Sequence, residues 1–316
     1  MREPAISVVI PVLNEAGNIG ALLDDCAAQT LPAAEIVVVD AGSADGTLDL
    51  LEERALAWPS LRIVRAPGAT PGRGRNLGIE HSQAPRVATL DAGSRIGPGW
   101  LAALASAAPG DDVASIGAAT ADARTAFEAA AGWLTLRAFK PSSARGPLGS
   151  RVTPAGRNGY CFTVAAWRSA GGFPEELPWG EDKVFLQRLV AQGIELRPAP
   201  AAVVRWRPRR TVAELYGQYR RYALGDAMAG VDRRNSLATL ALYGAGAALA
   251  IAATRRRGPL LVVTPALAFA YLAVFTAAAS RELSDRRALA WVPVVRVTVD
   301  VAKVHGLLQA LLRRRA

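Results

Sequence analysis

From residue 5 to about residue 120, short β-branched runs alternate with amphipathic stretches, a pattern that predicts βαβ units around a parallel sheet. Strands are expected at Ile6–Val12, 36–40, Leu61–Arg65, 87–91 and 113–117. Helices are expected over 18–29, 46–56, 73–81 and Trp100–Ala107, the second with Ser43 or Asp45 as its amino-terminal cap. The same reading gives a short strand near Phe162, a helix from Ala165, a helix over 181–192, a strand over 202–206 and a polar helix over 211–225. Residues 140–160 are rich in Gly, Pro and Arg and cannot form one regular element. A loop of that length is expected to be either a mobile lid over a phosphate or a solvated excursion.

After residue 235 the pattern changes. Residues 236–254 carry no charge, residues 259–280 make a second uncharged run, and roughly 20 apolar residues are needed to cross the hydrocarbon. Both runs are therefore candidate membrane segments, with a buried soluble hairpin as the alternative. Two crossings would place Arg255-Arg256-Arg257 outside, against the bias that keeps arginine on the cytoplasmic side, and a re-entrant hairpin would avoid this. Residues 288–312 are apolar but carry Arg296, Asp300 and Lys303 at spacings of four and three, so these charges share one helix face. An interfacial amphipathic helix is expected there, with Arg313-Arg314-Arg315 held by anionic lipid. The expected organisation is a cytoplasmic domain over 1–232 and a membrane-associated helical region over 233–316.

Charge follows the same division. Residues 1–200 hold 18 Lys and Arg against 21 Asp and Glu, a net of −3, whereas residues 201–316 hold 19 against 6, a net of +13. A basic tail around apolar runs points to anionic lipid and not to nucleic acid, because the interleaving of basic and aromatic residues that stacks bases is missing. The two cysteines, Cys26 and Cys161, belong to no CxxC or Cys/His cluster, which excludes a zinc site and a disulfide scaffold from the expectation. The short apolar run before Pro11 lacks the length and cleavage site of a secretory signal, so the first domain is expected to stay in the cytoplasm.

Candidate chemistry lies in carboxylates at predicted strand ends. Asp40 closes Val37-Val38-Val39-Asp40-Ala41-Gly42-Ser43 and Asp91 closes Ala88-Thr89-Leu90-Asp91-Ala92-Gly93-Ser94, while Glu181-Asp182 opens a helix. Carboxyl ends of parallel strands share one rim of an open sheet, where α/β folds bind ligands. In Gly72-Arg73-Gly74-Arg75 small residues let backbone approach a phosphate and Arg75 can grip a diphosphate. The glycines of Gly72-x-Gly74-x-x-x-Gly78 also suggest a dinucleotide-dependent enzyme. Against that, the motif follows the third strand instead of the first, and its spacing is one residue too long.

Six motifs in order, Pro11-Val12-Leu13-Asn14-Glu15, Asp40-Ala41-Gly42-Ser43-Ala44-Asp45-Gly46-Thr47, Gly74-Arg75-Asn76-Leu77-Gly78, Leu90-Asp91-Ala92-Gly93, Ala170-Gly171-Gly172-Phe173 and Trp179-Gly180-Glu181-Asp182, make roughly residues 5–230 resemble the family 2 glycosyltransferases. The resemblance implies an A-type, Rossmann-like α/β fold with a mostly parallel sheet flanked by helices, followed here by the helical membrane region. It implies an inverting enzyme, a nucleoside diphospho-sugar donor and a divalent cation, Mg or Mn. Pro11, Val12 and Glu15 would line the nucleoside pocket, Asp40 would meet the base and Arg75 the diphosphate. Asp91 would bind the metal, and Asp182, beside Glu181, would be the general base. The macrodipole alone, worth roughly 0.3–1 kcal/mol to an acidic residue in a first turn, is the bland explanation of that acidic pair. Gly93 stands where the family has a second metal-binding acid, so the cation is expected to be weakly held by one carboxylate with phosphate oxygens and water. The same departure motivates the alternative of a catalytically degenerate nucleotide-sugar-binding protein. The apolar tail makes a membrane-delivered acceptor the expectation: a glycolipid, a polyprenyl carrier or a cell-envelope polysaccharide. Gln218-Tyr219-Arg220-Arg221-Tyr222 loosely resembles the element by which polymerising members hold a sugar chain, and an amphipathic helix at a membrane surface explains the same residues.

Overall fold

The computed structural model describes residues 5–137, 159–177, 179–230, 233–256 and 260–313. Nearly all of the 140–160 loop, together with Arg257, Arg314 and Arg315, lies outside the described residues. The chain forms two compact units, Met1–Thr120 with Phe139–Arg207, and Ala121–Ala138 with Pro208–Ala316.

The first unit is built on an eight-stranded sheet of order β3-β2-β1-β4-β7-β6-β8-β5. Strands β1 (Ile6–Val12), β2 (Glu35–Asp40), β3 (Leu61–Arg65) and β4 (Arg86–Thr89) are parallel neighbours. Alternation along the strands decides which helices cover which face. Ile6, Val8, Ile10, Ile36 and Val38 bury against α1 (Ile19–Ala27), α2 (Thr47–Ala57) and α4 (Trp100–Ala107). Val9, Val37, Val39 and Val87 bury against α3 (Pro71–Glu80), α6 (Val164–Ser169) and α7 (Glu181–Ala191). Both faces are covered, as a parallel sheet requires. The order 3-2-1-4 places a topological switch between β1 and β4, with α3, which joins β3 to β4, packed over β1 and β2.

The other half of the sheet is mixed: one antiparallel strand lies between β4 and the expected strand over 113–117, which therefore keeps the direction of β4. Strand β6 (Val113–Ala121) and β7 (Tyr160–Thr163) are antiparallel, as are β7 and β4. The chain leaves this unit after Thr120 and re-enters it at residue 139, so no crossover helix inside the unit turns β7 parallel. Strand β4 also stops two residues short of the expected end, which leaves Asp91 in the turn before β5 (Ser94–Ile96). The sequence pattern gives no sign of β5, because three residues between glycines carry no periodicity; its partner is the end of β8 (Glu195–Trp206), with Ser94 opposite Trp206.

The second unit is helical: α5 (Ala126–Arg137), α8 (Val212–Ala229), α9 (Arg233–Arg256), α10 (Leu260–Ala279), a 3₁₀ turn at Arg286–Trp291 and α11 (Val292–Arg313). Phe127, Trp133 and Leu134 of α5, Leu215 and Tyr219 of α8, and Val292, Val295, Val299 and Ala302 at the start of α11 form its core. Gly306 lets α11 approach α8 closely, since a Cβ there would strike the Arg220 carbonyl oxygen. Among the described residues α10 alone, over Val262–Ala279, is long and apolar enough to cross a membrane, and only 6% of that stretch is buried. The apolar part of α9, Leu240–Ala252, is shorter. The charges expected to share one face of α11 do share it, and that face is turned inward: Asp300 is buried and Arg296 is 19% exposed.

Candidate active site

The site is assembled at the carboxyl rim of the parallel strands. Register sets Val12 opposite Asp40 and Pro11 opposite Val39, so two expected pocket residues adjoin the strand-terminal carboxylate. Asp40 is 2% exposed and accepts from the Gly42 amide at 3.0 Å, the Ser43 amide at 3.1 Å and the Ser43 hydroxyl at 2.5 Å. It therefore shapes the β2–α2 loop. That loop is tied to the β1–α1 loop in both directions: Asn14 donates its amide to Ser43 Oγ at 2.9 Å and accepts the Ala44 amide at 2.9 Å through Oδ1. Glu15 donates its amide to Thr47 Oγ1 at 2.8 Å, and Ala16 donates to Asp45 Oδ2 at 3.1 Å. Asn14 holds φ 55°, the single positive-φ non-glycine residue among those described, and a left-handed conformation of this kind persists only where its surroundings fix it. The α2 cap is Gly46, at φ 91°, and not Ser43 or Asp45; Asp45 still accepts the first helical amide, Thr47 N, at 3.1 Å.

Two helix starts converge on this rim. Thr70 caps α3 by accepting from Arg73 N, and Pro71 opens it with its φ preset. Gly74 allows the helix to lie beside β1, since a Cβ there would sit 3.1 Å from Pro11 Cβ. Gly72 does the same toward α7, where an added Cβ would strike the Pro174 carbonyl oxygen and lie 3.5 Å from Glu181 Cβ. Asn76 fixes the Gly172-Phe173 segment by accepting from Phe173 N at 2.9 Å and Trp167 Nε1 at 3.0 Å, and by donating to Phe173 O at 2.8 Å.

Arg75 is the hub. Only 4% exposed, it donates Nη1 to Glu181 Oε1 at 2.5 Å and Nη2 to Asp91 Oδ1 at 2.7 Å, and its Cζ lies 5.5 Å from the Phe173 ring centroid. Both arms of its fork are committed to carboxylates. Burial alone would lower its pKa, but the charges of Glu181, then Asp91 and Asp182, raise it, so it stays a cation. Glu181 and Asp182 are 6% and 7% exposed in the first turn of α7. Burial pushes the Glu181 carboxyl above its ordinary value; Arg75 opposes the shift and the Asp182 charge adds to it. The Tyr160 hydroxyl points at Asp182 Oδ2 from 3.4 Å. Burial first, then the charge of Asp182, raises the Tyr160 phenol well above its usual value, so it serves as a donor and not as an anion. Asp91 and the Glu181-Asp182 pair, 90 positions further along the chain, thus surround one cation.

Asp91 keeps 40% of its side chain exposed at the edge of this cluster. The nearest atoms to a Cβ built on Gly93 are those of the Glu15 carboxylate, Oε1 at 3.4 Å and Oε2 at 3.6 Å. Glu15 therefore brings a carboxylate to the space that a second acid at position 93 would enter. Among the described residues no three His, Cys, Asp or Glu side chains gather as a metal site. One or two hard oxygen donors at the rim nonetheless fit a magnesium-type ion, which keeps several waters and takes the rest of its ligands from phosphate.

Sequence reasoning did not single out Tyr160 or Phe173 as site residues. Nothing local aims either at Asp182 or Arg75; long-range pairing of β7 with β4 and the turn held by Asn76 do so. Gln218 lies in the second unit, 2% exposed, accepting from Arg209 at 2.9 Å and donating to Tyr222 at 2.9 Å. His81 Nδ1 meets the Leu77 carbonyl at 2.8 Å, and His305 meets the Tyr216 hydroxyl.

Comparison with known proteins agrees with this architecture. A family model described as glycosyl transferase family 2 matches residues 7–146, and one described as glycosyl transferase family group 2 matches residues 86–279. Glycosyltransferase AglE of Haloferax volcanii is 36% identical over 117 residues, 36% of this chain and 38% of the relative. The cholesterol galactosyltransferase of Borreliella burgdorferi is 28% identical over 107 residues, 34% of this chain and 30% of the relative. The matched stretch thus spans only 30–38% of these relatives' length. A mannosyltransferase of Pyrobaculum calidifontis, solved with GDP-Man and Mn2+, superposes with a TM-score of 0.66 at 21% identity over 98% of this chain and 88% of its own, a likeness of fold. With a family model covering most of its length, an A-type α/β sheet and the ordered motifs on one rim, the chain belongs to the family 2 glycosyltransferases.

Proposed function

We propose that the protein moves a sugar, with inversion, from a nucleoside diphospho-sugar to a hydroxyl of a lipid-linked or membrane-delivered acceptor, working on the cytoplasmic face of a membrane. The observation that carries the reading is the Arg75-centred cluster, in which Asp182 sits beside Glu181 on α7 while Asp91 borders the exposed rim. The β1–α1 and β2–α2 loops, with Pro11, Val12, Glu15 and Asp40, form the nucleoside side.

Asp182 takes the proton from the acceptor hydroxyl as that oxygen bonds to the anomeric carbon and the bond from that carbon to the diphosphate breaks. Tyr160 holds one Asp182 oxygen and leaves the other for the acceptor. Glu181 and Asp91 fix the guanidinium of Arg75, which sets a positive charge close to the second carboxylate of the Glu181-Asp182 pair. In this role Arg75 positions the acids instead of gripping the diphosphate. A divalent cation, Mg or Mn, held by Asp91 with Glu15 beside it, supplies charge neutralisation to the departing diphosphate when bound. The exposed apolar α10 supports the membrane side of the reading.

The test is transfer of radiolabel from a panel of nucleoside diphospho-sugars into lipid extract by the full chain in vesicles, with Mg2+, Mn2+ or EDTA. One donor class should label the lipid phase, and EDTA should reduce the signal. Donor binding without any transfer would instead favour the non-catalytic binding protein that Gly93 suggests.

A further inference from the structure

Within the helical unit, α11 turns its central charges inward among the core residues and leaves an apolar face outward. Asp300, buried completely, pairs with Arg296 at 2.5 Å; Tyr271 of α10 donates to Asp300 Oδ2 at 2.9 Å and accepts from Arg296 Nε at 2.7 Å. Tyr243 of α9 also hydrogen-bonds to Asp300. The Arg296 guanidinium lies 4.3 Å from the Phe275 ring centroid, and the Lys303 ammonium lies 5.9 Å from that of Tyr219. Every charge inside the body of α11 thus has a partner on a neighbouring helix or on α11 itself.

The outward face is the reverse. Val294, Val297, Val301, Leu308, Leu311 and Leu312 are 41–71% exposed and, at 100° per residue, fall within one stripe about a third of the circumference wide, with exposed His305, bonded to the Tyr216 hydroxyl, at its edge. A helix facing water sorts its residues the other way, and in lipid polar groups must be satisfied internally while aliphatic side chains face out. Arginines bracket the stripe: Arg281, Arg286 and Arg287 are exposed before it and Arg313 ends it, a charge distribution that complements anionic headgroups. The neighbouring α10 presents the same kind of surface, with Val262, Leu267, Phe269 and Val274 exposed by more than half.

We infer that the α11 stripe from Val294 to Leu312 is a lipid-facing surface, seated among the acyl chains of an anionic bilayer beside α10, with the Tyr243–Tyr271–Arg296–Asp300 cluster as the internally ion-paired polar group that this setting favours. This replaces a helix lying on the headgroups with its charges outward by one whose charges are locked inside. It deepens the membrane part of the proposed function and does not depend on sugar transfer.

The test places a nitroxide on the full chain at Val297→Cys, Val301→Cys or Arg286→Cys, the native Cys26 and Cys161 being buried. In phosphatidylglycerol/phosphatidylcholine vesicles, collision with oxygen should exceed collision with a water-soluble nickel chelate at 297 and 301, and the order should reverse at 286. With the label at 297, adding Val301→Asp should raise collision with the nickel chelate while Val301→Leu leaves it unchanged. Nickel-dominated relaxation at 297 and 301 would overturn the inference. So would labels shielded from both agents that show dipolar broadening at full labelling, since a second copy of the chain would then cover the stripe. Neither readout uses a donor, so a failure here and a failure of the transferase reading are separable.

Discussion

Replacing Arg75 by Met tests whether the acids of α7 and the rim depend on one cation. The guanidinium is 4% exposed and spans Glu181 at 2.5 Å and Asp91 at 2.7 Å. Removing one partner of a buried pair costs about 3–5 kcal/mol, because the other is left charged and uncompensated. At about 2–4 °C per kcal/mol for a unit of this size, the melting temperature should fall by about 6–20 °C. The loss should depend on pH. The folded-state pKa of Glu181 already lies above its ordinary 4.5, with Arg75 as the main opposing influence. A folded acid with a raised pKa binds more protons than the unfolded chain, so stability falls as pH rises through the window above 4.5. Without Arg75 the raise is larger, and the deficit should widen between pH 5 and pH 8. Adding Glu181→Gln should return part of the loss, a coupling that a double-mutant cycle reads directly. Scanning fluorimetry of the full chain in detergent at the two pH values is sufficient. A variant melting within 2 °C of the parent, or with an equal deficit at both pH values, would refute the reasoning.

Other consequences are equally accessible. Tyr160→Phe removes the hydrogen bond to Asp182, worth about 0.5–1.5 kcal/mol, and should lower kcat roughly two- to tenfold with little change in the donor KM, measured by steady-state transfer. Gly78→Ala puts a methyl group against Val9 Cγ1 and 3.2 Å from Val39 Cγ2; overpacking of about 1–3 kcal/mol should outweigh the helix-propensity gain of at most about 1 kcal/mol, seen as a lower melting temperature. Burial pushes the Cys26 thiol up to about 12 and the Cys161 thiol up to about 11, so at pH 8 a disulfide reagent should leave both unmodified in the native chain and titrate both in urea.

The parallel half of the fold was legible because its signal is local. Strands buried on both faces read as β-branched runs, and the loops after β1 and β2 carry the Asn, Ser, Asp and Gly that their turns need. What depends on distant pairing was not legible. Strand β5 exists only against β8, β7 runs antiparallel because the chain re-enters from the other unit, and Tyr160 meets Asp182 only through that insertion. Among site residues, Glu181 and Asp182 could be placed on a helix start from sequence, whereas the burial of Arg75 between carboxylates could not. Motif spacing fixes where its Cα lies and leaves open what its side chain faces. In α11 the spacing of Arg296, Asp300 and Lys303 correctly put them on one face, but periodicity does not say whether that face looks inward or outward.

The central claim is that Asp182 removes the acceptor proton, and Asp182→Asn measures it most directly, since the amide keeps shape and burial while losing basicity. With the active donor in vesicles, transfer should fall by roughly 10²–10⁴-fold while donor affinity, read by titration calorimetry, stays within a few-fold of the parent. Transfer by the Asn variant at a rate close to that of the parent would contradict the account.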